Sequence, residues 1–318
     1  MPTFLVLVHE QPEVFGRLVR GLAPHRCVVH VDAGVRIEPF LRAAAGGTHV
    51  EFLDDRIDVR WAGFSVVEAT IALLERGLTV TDPDDHLVVL SGTDAIVRPI
   101  DEFVAHLRTA PWRQHLRHIL IDGIDDRAIL DRIRRRHHRD LRLVRSKRRT
   151  GPGHVLNAVA RRAAESVERF RPPGPCPDGL AVALGSQWFA LTAECVTELL
   201  GRRSAAVDDW FRSTFAPDET YFATMLANGP FANDNATGGP EDFVARGMFR
   251  LANHHLIDVD LRRVWTLADL QEIIDSGRYF VRKLVQPDSL SLLDALDIHR
   301  RSGSRSSGDE DGRVPFEP

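Results

Sequence analysis

Two carboxylates in this sequence stand where they could do acid–base chemistry. Asp218 and Glu219 directly follow Pro217, an order typical of the first turn of a helix, where the helix dipole favours acids. A carboxylate held rigidly at a helix start can act as a general base. The same residues can also form a stable helix start with no chemical role, and the residue pattern leaves both interpretations open.

Basic side chains offer a second kind of chemistry, the binding of anions. Among the 41 lysines and arginines only Lys147 and Lys283 are lysines. An ammonium group places one compact charge on a single oxygen, whereas a guanidinium can bind two oxygens at once. A lone lysine is more often a surface residue, but in a chain that avoids lysine Lys283 is a candidate anion ligand.

Further polar side chains lie where predicted strands end. Short apolar runs typical of buried strands occur at 4–9, 27–32, 50–53, 86–92 and 118–123. The polar residues at the ends of such runs are His9, His30, Asp32 and Asp94. Ligands of parallel sheets bind beyond the carboxyl ends of the strands, so we expect these residues near one edge.

Two of these polar residues have an alternative role. His30 is better explained as a buried histidine hydrogen-bonded to the backbone than as a ligand-binding group. Asp94 either contacts a ligand or caps the predicted helix 101–107.

Helical patterns between the strands define the fold class. They are clearest at 63–78, 101–107, 154–170 and 193–201. Their alternation with the strands predicts an α/β fold with a mostly parallel central sheet flanked by helices. The segment 256–284 is interpreted as strand, loop, helix, loop. Ser, Gly, Arg and Asp dominate from Ser302 onwards, so we expect one domain over 1–301 and a disordered tail over 302–318.

Charged segments outside the strand ends have mostly structural interpretations. Residues 132–149 contain ten basic residues and one acid, Asp140, which suits a solvated helix and loop better than a patch for an anionic partner. The acidic loop 82–85 is typical of a turn. The loop 122–126 could bind a metal, but carboxylates after a strand also cap the next helix, and we favour that second role.

Composition excludes several classes of protein. The formal net charge of −4 disfavours a nucleic-acid-coating protein, and no apolar run reaches the roughly 18 residues of a membrane span. The scattered cysteines Cys27, Cys176 and Cys195 favour a reducing compartment and disfavour a thiolate metal site. A strand-like run starts at Phe4, so we expect no signal peptide and a cytoplasmic protein. Abundant alanine and arginine indicate a bacterial source.

Six segments carry a resemblance to a known family. They are HVDA (30–33), RIDVRWAGFSVVEATIALL (56–74), LSGTDAIVRPIDEF (90–103), GSQWFALT (185–192), PDETYFATML (217–226) and FVRKL (280–284). In this order they resemble the core-2/I-branching β-1,6-N-acetylglucosaminyltransferase and peptide O-xylosyltransferase family. The resemblance implies a GT-A-like nucleotide-sugar transferase fold.

The same resemblance implies a reaction. A UDP-sugar would donate GlcNAc, or else xylose or glucuronic acid, to an acceptor hydroxyl with inversion. The acceptor would be a glycan, a peptide Ser or Thr, or a natural product. Glu219 would be the general base. Asp218 would lie at the donor or acceptor sugar or, alternatively, cap the helix or orient its neighbours. Lys283, with Arg262 or Arg263, would bind the diphosphate, so that no metal ion or other cofactor is required.

Contacts to the nucleotide are also implied by the resemblance. Val8 and His9 would pack on the uracil base, and Asp32 would accept a hydrogen bond from ribose or uracil. Arg56 and Ser65 are weaker candidates for donor contacts.

Contacts to the sugars complete this set. Asp94 would touch the ribose or the donor sugar. Trp61 and Trp188 would form apolar walls for a sugar ring or, alternatively, pack in the core. Arg282 is expected to point away from the site or to pair with a helix.

Other functions remain as alternatives. A catalytically inactive nucleotide-sugar-binding protein would keep the fold without the reaction, although Glu219 speaks against it. A nucleic-acid-binding module based on residues 132–149 is disfavoured by the acidic net charge. A serine hydrolase is a poor fit because the sequence has no GxSxG motif.

Overall fold

A computed structural model of the chain describes residues 1–141, 152–168, 173–245, 247–248, 253–258 and 262–306. Its strands are β1 (Thr3–Val8), β2 (Cys27–Val31), β3 (Val50–Phe52), β4 (His86–Ser91), β5 (Ala95–Ile96), β6 (His118–Leu120), β7 (Ala183–Gly185), β8 (Ala190–Thr192), β9 (His255–Ile257) and β10 (Phe280–Arg282). Its helices are α1 (Pro12–Leu22), α2 (Glu38–Ala43), α3 (Ser65–Leu78), α4 (Ile100–Thr109), α5 (Arg127–Arg134), α6 (Pro152–Glu168), α7 (Ala193–Gly201), α8 (Ala205–Arg212), α9 (Tyr221–Ala227), α10 (Leu270–Asp275) and α11 (Leu290–Ser306).

The central sheet has the strand order β3-β2-β1-β4-β8. The pairs among β3, β2, β1 and β4 are parallel, and β8 runs antiparallel to β4 at the edge. The chain moves outward from β1 through β2 to β3 and then returns to the other side of β1 with β4. This reversal opens a crevice between the carboxyl ends of β1 and β4, the usual place for a ligand in such sheets.

Helices cover both faces of the central sheet because its strands are apolar on both faces. Leu5 of β1 and Val89 of β4 pack into the core under α3, α7 and α9. Phe4 of β1 and Leu90 of β4 pack into the opposite core, under α1 and α4. The period of two along a strand explains this division, and two-sided burial is typical of parallel sheets.

A second, smaller sheet lies beside the first and has the order β5-β10-β9. β10 pairs antiparallel with β5 and parallel with β9. A third core, which includes Trp265, Val281 and Leu292, packs this sheet against α10 and α11. The antiparallel pair of β6 and β7 forms a separate ribbon.

The structure confirms the predicted α/β class and the mostly parallel central sheet. The predicted strands 4–9, 27–32, 50–53, 86–92 and 118–123 correspond to β1, β2, β3, β4 and β6. The last loop predicted within 256–284 is wrong, because it contains β10, which is only three residues long and is stabilised by pairing on both sides.

The carboxyl-terminal part extends further than expected as ordered structure. α11 continues to Ser306, past residue 301 where the domain was expected to end. Residues 307–318 of the predicted tail lie outside the described residues. Among the helices that the structure describes, none combines the length and apolarity needed to cross a membrane.

Candidate active site

The carboxyl ends of β1, β2 and β4 meet closely. The Gly92 N–H donates to the Leu7 carbonyl (2.9 Å), and the Asp32 N–H donates to the Val8 carbonyl (2.9 Å). A β-carbon on Gly92 would lie 2.5 Å from Val8 Cγ2, so only glycine allows this approach. The predicted residues Val8, Asp32 and Asp94 are therefore brought to one edge of the sheet.

Asp94 is the fixed centre of this edge and is fully buried. Its Oδ2 accepts hydrogen bonds from the Ser91 N–H (2.7 Å) and from His255 Nε2 (3.1 Å). Its Oδ1 accepts from Arg282 Nη1 (3.4 Å). The alternative role of Asp94 as a helix cap is wrong, because Pro99 precedes the first residue of α4 and no side chain of the described residues caps that helix.

Arg282 points into the site, which corrects the expectation that it points away. Its guanidinium lies 4.4 Å from the centroid of the Trp188 ring and donates to Thr93 Oγ1 (3.0 Å). Alternation along β10 explains this direction, because Arg282 shares the face of Phe280, which packs towards the central sheet. Trp188 is buried, so the guanidinium covers a ring that otherwise belongs to the core.

Lys283 follows β10 and reaches the end of β1. Its Nζ lies 2.7 Å from Glu10 Oε1, and His9 Nε2 lies 3.5 Å from the same oxygen. The structure thus brings together Lys283 and His9, which are far apart in sequence. The sequence did not predict a role for Glu10. Its carboxylate pairs with the Lys283 ammonium group and holds it in the crevice.

The two arginines predicted beside Lys283 are placed differently. The Arg263 guanidinium lies near Asp269 and Glu272 and stacks over Trp265, 4.1 Å from its centroid. These contacts hold the Arg263 side chain against α10 and the third core. Arg262 is exposed, and its backbone N–H donates to Asp258 Oδ2 (3.0 Å).

Glu219 lies in a single 3-10 turn, Pro217–Glu219, directly before α9. This confirms the predicted helix start. Arg132 of α5 donates to Glu219 Oε2 (2.5 Å), and the carboxylate side chain is 30% exposed. Burial raises the pKa of Glu219, and the charge of Arg132 opposes that rise.

Asp218 is the second acid of this turn. Burial, together with the adjacent charge of Glu219, raises the pKa of Asp218 to about 7, against the opposing charges of Arg132 and Arg282. Its Oδ1 is buried and accepts no hydrogen bond from the described part of the chain. The charge of Arg282 therefore acts both on Asp218, in the turn of Glu219, and on Asp94.

Trp61 lies against the segment that leads into this turn. Its ring is 71% exposed and meets Phe215 edge-on, with 5.5 Å between the ring centroids. The Ala216 N–H donates to the Ala62 carbonyl (3.1 Å). Trp61 is thus an exposed ring on a segment bonded to the turn of Glu219, with the Arg139 guanidinium 5.1 Å from its centroid, whereas Trp188 is enclosed.

Ser65 is engaged within the protein. Its hydroxyl donates to Asp140 Oδ1 (2.7 Å), and the Phe64 N–H donates to Asp140 Oδ2 (2.6 Å). Asp140 therefore stabilises the start of α3 from a distant part of the chain. A β-carbon on Gly63 would lie 2.3 Å from Asp140 Oδ1, so this contact requires glycine.

The loop after β2 is held by Arg56 and Asp32. Arg56 Nη1 donates to the Val35 carbonyl (3.1 Å), and Asp32 Oδ1 accepts from the Gly34 N–H (2.7 Å). His30 Nε2 accepts from the Ile57 N–H (2.9 Å), and burial lowers the pKa of His30 to about 4. The prediction of a buried, backbone-bonded histidine is confirmed.

The charged segments behave only partly as expected. Asp126 of the loop 122–126 accepts from the N–H groups of Ala128 and Ile129 and caps α5, as favoured. The loop 82–85 forms the predicted turn before β4. The structure describes the basic stretch 132–149 up to residue 141. Arg132 donates to Glu219 and Asp140 accepts from Phe64, so these two residues are not part of a purely solvated surface.

A protein-family model gives the main similarity of this chain to known proteins. The family model described as Core-2/I-Branching enzyme matches residues 3–239. No curated protein matches the chain significantly. A solved 4-diphosphocytidyl-2C-methyl-D-erythritol synthase is 12% identical with a TM-score of 0.32, over 65% of this chain and 83% of that one. A Bacillus anthracis protein described as a glucose-1-phosphate thymidylyltransferase, in complex with a sucrose, is 8% identical with a TM-score of 0.31, over 66% of this chain and 78% of that one.

Proposed function

Because the chain belongs to the Core-2/I-Branching enzyme family and is therefore a glycosyltransferase, we propose that it transfers a sugar from a UDP-sugar to an acceptor hydroxyl with inversion, with Glu219 as general base. The observation that carries this proposal is the position of Glu219, which is half-buried, held by Arg132, and in a turn that is hydrogen-bonded through Ala216 to the segment of the exposed Trp61.

Inverting transfer requires a base on the acceptor side of the anomeric carbon. The base removes the proton of the acceptor hydroxyl as the new glycosidic bond forms and the bond to the diphosphate breaks. One carboxylate is sufficient for this step. The ion pair with Arg132 favours the ionised form of Glu219 and fixes its orientation, while the raised pKa due to burial makes the carboxylate a stronger base.

Asp218 is suited to orient a sugar rather than to act as the base. Its buried Oδ1 accepts no hydrogen bond from the described residues, and a sugar hydroxyl would supply one. Trp61 offers the apolar face on which a pyranose ring can stack. We assign both residues to the acceptor or the donor sugar.

The departing diphosphate requires positive charge, and two cations flank the crevice. Lys283 follows β10 and its ammonium group reaches Glu10 beyond the end of β1, and Arg282, the last residue of β10, reaches Asp94 and Trp188. Two fixed cations of this kind can stabilise the charge that develops on the diphosphate without a metal ion. Of the arginines predicted for this role, Arg263 already has two carboxylate partners, so we favour Lys283 with Arg282 over Lys283 with Arg263.

The uridine would lie along the ends of β1 and β2. Val8 and His9 border this edge, and Asp32 lies next to Val8 through its backbone hydrogen bond. The sugar donated is proposed to be GlcNAc, or else xylose or glucuronic acid. The acceptor is proposed to be a hydroxyl of a glycan, a peptide or a natural product.

A donor screen tests this function. UDP release is measured for UDP-GlcNAc, UDP-xylose and UDP-glucuronic acid with the wild type, Glu219→Gln and the control Glu68→Gln. Glu68 is a carboxylate of similar exposure that pairs with Arg212. Release from at least one donor that Glu219→Gln abolishes and Glu68→Gln retains supports the proposal. Binding of a donor without release by any variant would indicate an inactive binding protein instead.

A further inference from the structure

Three histidines from separate parts of the chain meet outside the candidate active site. His106 lies on α4, His115 lies in the segment that follows it, and His254 directly precedes β9. One ring nitrogen of each lies within 4.8 Å of those of the other two. The ring centroids are separated by 4.5 Å for His115 and His254 and by 5.6 and 5.7 Å for the pairs with His106.

Two of these rings have unsatisfied nitrogens. His115 and His254 are buried, and their Nε2 atoms have no hydrogen-bond partner among the residues described. Buried nitrogens without a partner are unfavourable, so two of them on rings that lie within 4.8 Å of each other through their nitrogens suggest a missing ligand.

The backbone holds these rings in place. His115 exchanges two hydrogen bonds with Ala190 of β8 (2.8 and 3.2 Å). The His254 carbonyl accepts from the N–H groups of Tyr279 and Phe280 (3.1 and 3.0 Å). The Phe103 ring packs edge-on against His254, with 4.7 Å between the centroids. The cluster is therefore preorganised on one edge of the central sheet and on the second sheet.

We propose that His106, His115 and His254 bind one Zn²⁺ ion through their ring nitrogens, with a water molecule as the fourth ligand. Imidazole nitrogens suit Zn²⁺, and three of them with one open position are a recurrent zinc arrangement. Nitrogens at about 2.1 Å from a tetrahedral Zn²⁺ lie about 3.4 Å apart, so the rings need only small side-chain rotations to close on the ion.

The ion would cross-link three parts of the chain. It would join α4, the segment before β6 and the start of β9. The next residue after His254 is His255, which donates to Asp94 in the candidate active site. The zinc site would thus stabilise the position of His255 and, through it, of Asp94. It would be distinct from Lys283 and Arg282, which are proposed to bind the diphosphate.

Metal analysis of the tag-free chain tests this site. Protein treated with a chelator and dialysed is titrated with Zn²⁺, and bound zinc is measured by mass spectrometry. The wild type should bind one equivalent, and Co²⁺ in its place should give the visible absorption of a tetrahedral ion. His106→Gln and His115→Gln should bind Zn²⁺ more than about tenfold more weakly.

Matched variants separate metal binding from folding. His106 is only partly buried, so His106→Gln should fold even where His115→Gln does not, as circular dichroism will show. His25 is the control, because it is buried with both ring nitrogens unpartnered in the described structure but lies outside the cluster. Zn²⁺ should raise the Tm of the wild type and of His25→Gln but not of His106→Gln. Absence of stoichiometric zinc in the wild type, or equal binding by folded His106→Gln, would overturn the site.

Discussion

Two carboxylates of the candidate active site have opposite surroundings. Asp94 is fully buried and accepts hydrogen bonds from Ser91, His255 and Arg282. Glu219 is partly exposed, pairs with Arg132 and with no other basic side chain of the described residues, and is adjacent in sequence to Asp218, whose Oδ1 accepts no hydrogen bond from those residues. A carboxylate satisfied on every side can hold the fold but cannot readily accept a proton from a substrate. The comparison therefore favours a structural role for Asp94 and supports the proposed role of Glu219 as the base.

The largest expected effect is on stability, at Asp94. Asp94→Ala would leave Arg282 and His255 without their buried acceptor, and breaking such a pair costs about 3–5 kcal/mol. Urea unfolding of the variant and the wild type measures this loss. The control is Glu102→Ala, which breaks the exposed pair with Arg98 and should cost about 1 kcal/mol or less. Equal losses for the two variants would contradict the structural role of Asp94.

The next effect is on catalysis, at Glu219. Glu219→Gln keeps the shape of the side chain but cannot take a proton, so the transfer rate should fall at least about 10²-fold. UDP affinity should stay within a few-fold, because Glu219 is proposed to act on the acceptor. Steady-state kinetics and calorimetry measure the two quantities. A variant that retains near-normal turnover would transfer the role of base to another carboxylate.

Local sequence patterns predict the placement of both carboxylates. The ends of β1, β2 and β4 are predictable because each strand is a continuous apolar run, and Asp32 and Asp94 follow such runs directly. Parallel pairing then places them together without any knowledge of the rest of the chain. The residue Glu219 is predictable as a helix start from Pro217 for the same local reason.

The partners of these carboxylates are not predictable locally. Arg132 is 87 positions from Glu219, and Arg282 is 188 positions from Asp94. Both arginines come from short elements whose position depends on tertiary packing, and an arginine in an arginine-rich chain carries no distinguishing signal. The roles of the predicted site residues stay predictions, while their positions in the structure are now defined.

A third prediction concerns the leaving group and Lys283. Lys283→Ala should lower kcat and weaken UDP binding by about tenfold each, which corresponds to the ~1.5 kcal/mol of a hydrogen bond to a charged group. Lys283→Arg should restore part of both, because the charge returns in a different geometry. Glu10→Gln is the matched control, since it frees the ammonium group and should not weaken UDP binding. Full kcat in Lys283→Ala would remove Lys283 from the mechanism.

A fourth prediction uses the pH dependence of stability at Asp218. The pKa of this group is raised from 3.8 to about 7 in the folded protein, so its contribution favours folding at low pH and is lost as the pH rises through that range. Asp218→Asn removes this loss. The stability of the variant relative to the wild type should therefore increase between about pH 4 and pH 7, as chemical unfolding at a series of pH values will show. A constant difference across that range would mean that Asp218 titrates normally.

The smallest expected effect is that of added metal on UDP binding. Lys283 and Arg282 already place two positive charges at the crevice, and the acidic loop 122–126 uses Asp126 to cap α5. Mn²⁺ should therefore change UDP affinity less than tenfold, or about 1.4 kcal/mol. Calorimetric titrations of UDP with and without added Mn²⁺ measure this, in zinc-loaded protein so that the histidine cluster is in the same state in both. Lys283→Ala removes one of the two charges, so an increase in UDP affinity with Mn²⁺ in that variant alone would support the replacement of a metal ion by cations. A more than tenfold increase in the wild type would contradict it and would make Asp122 and Asp125 the candidate metal ligands.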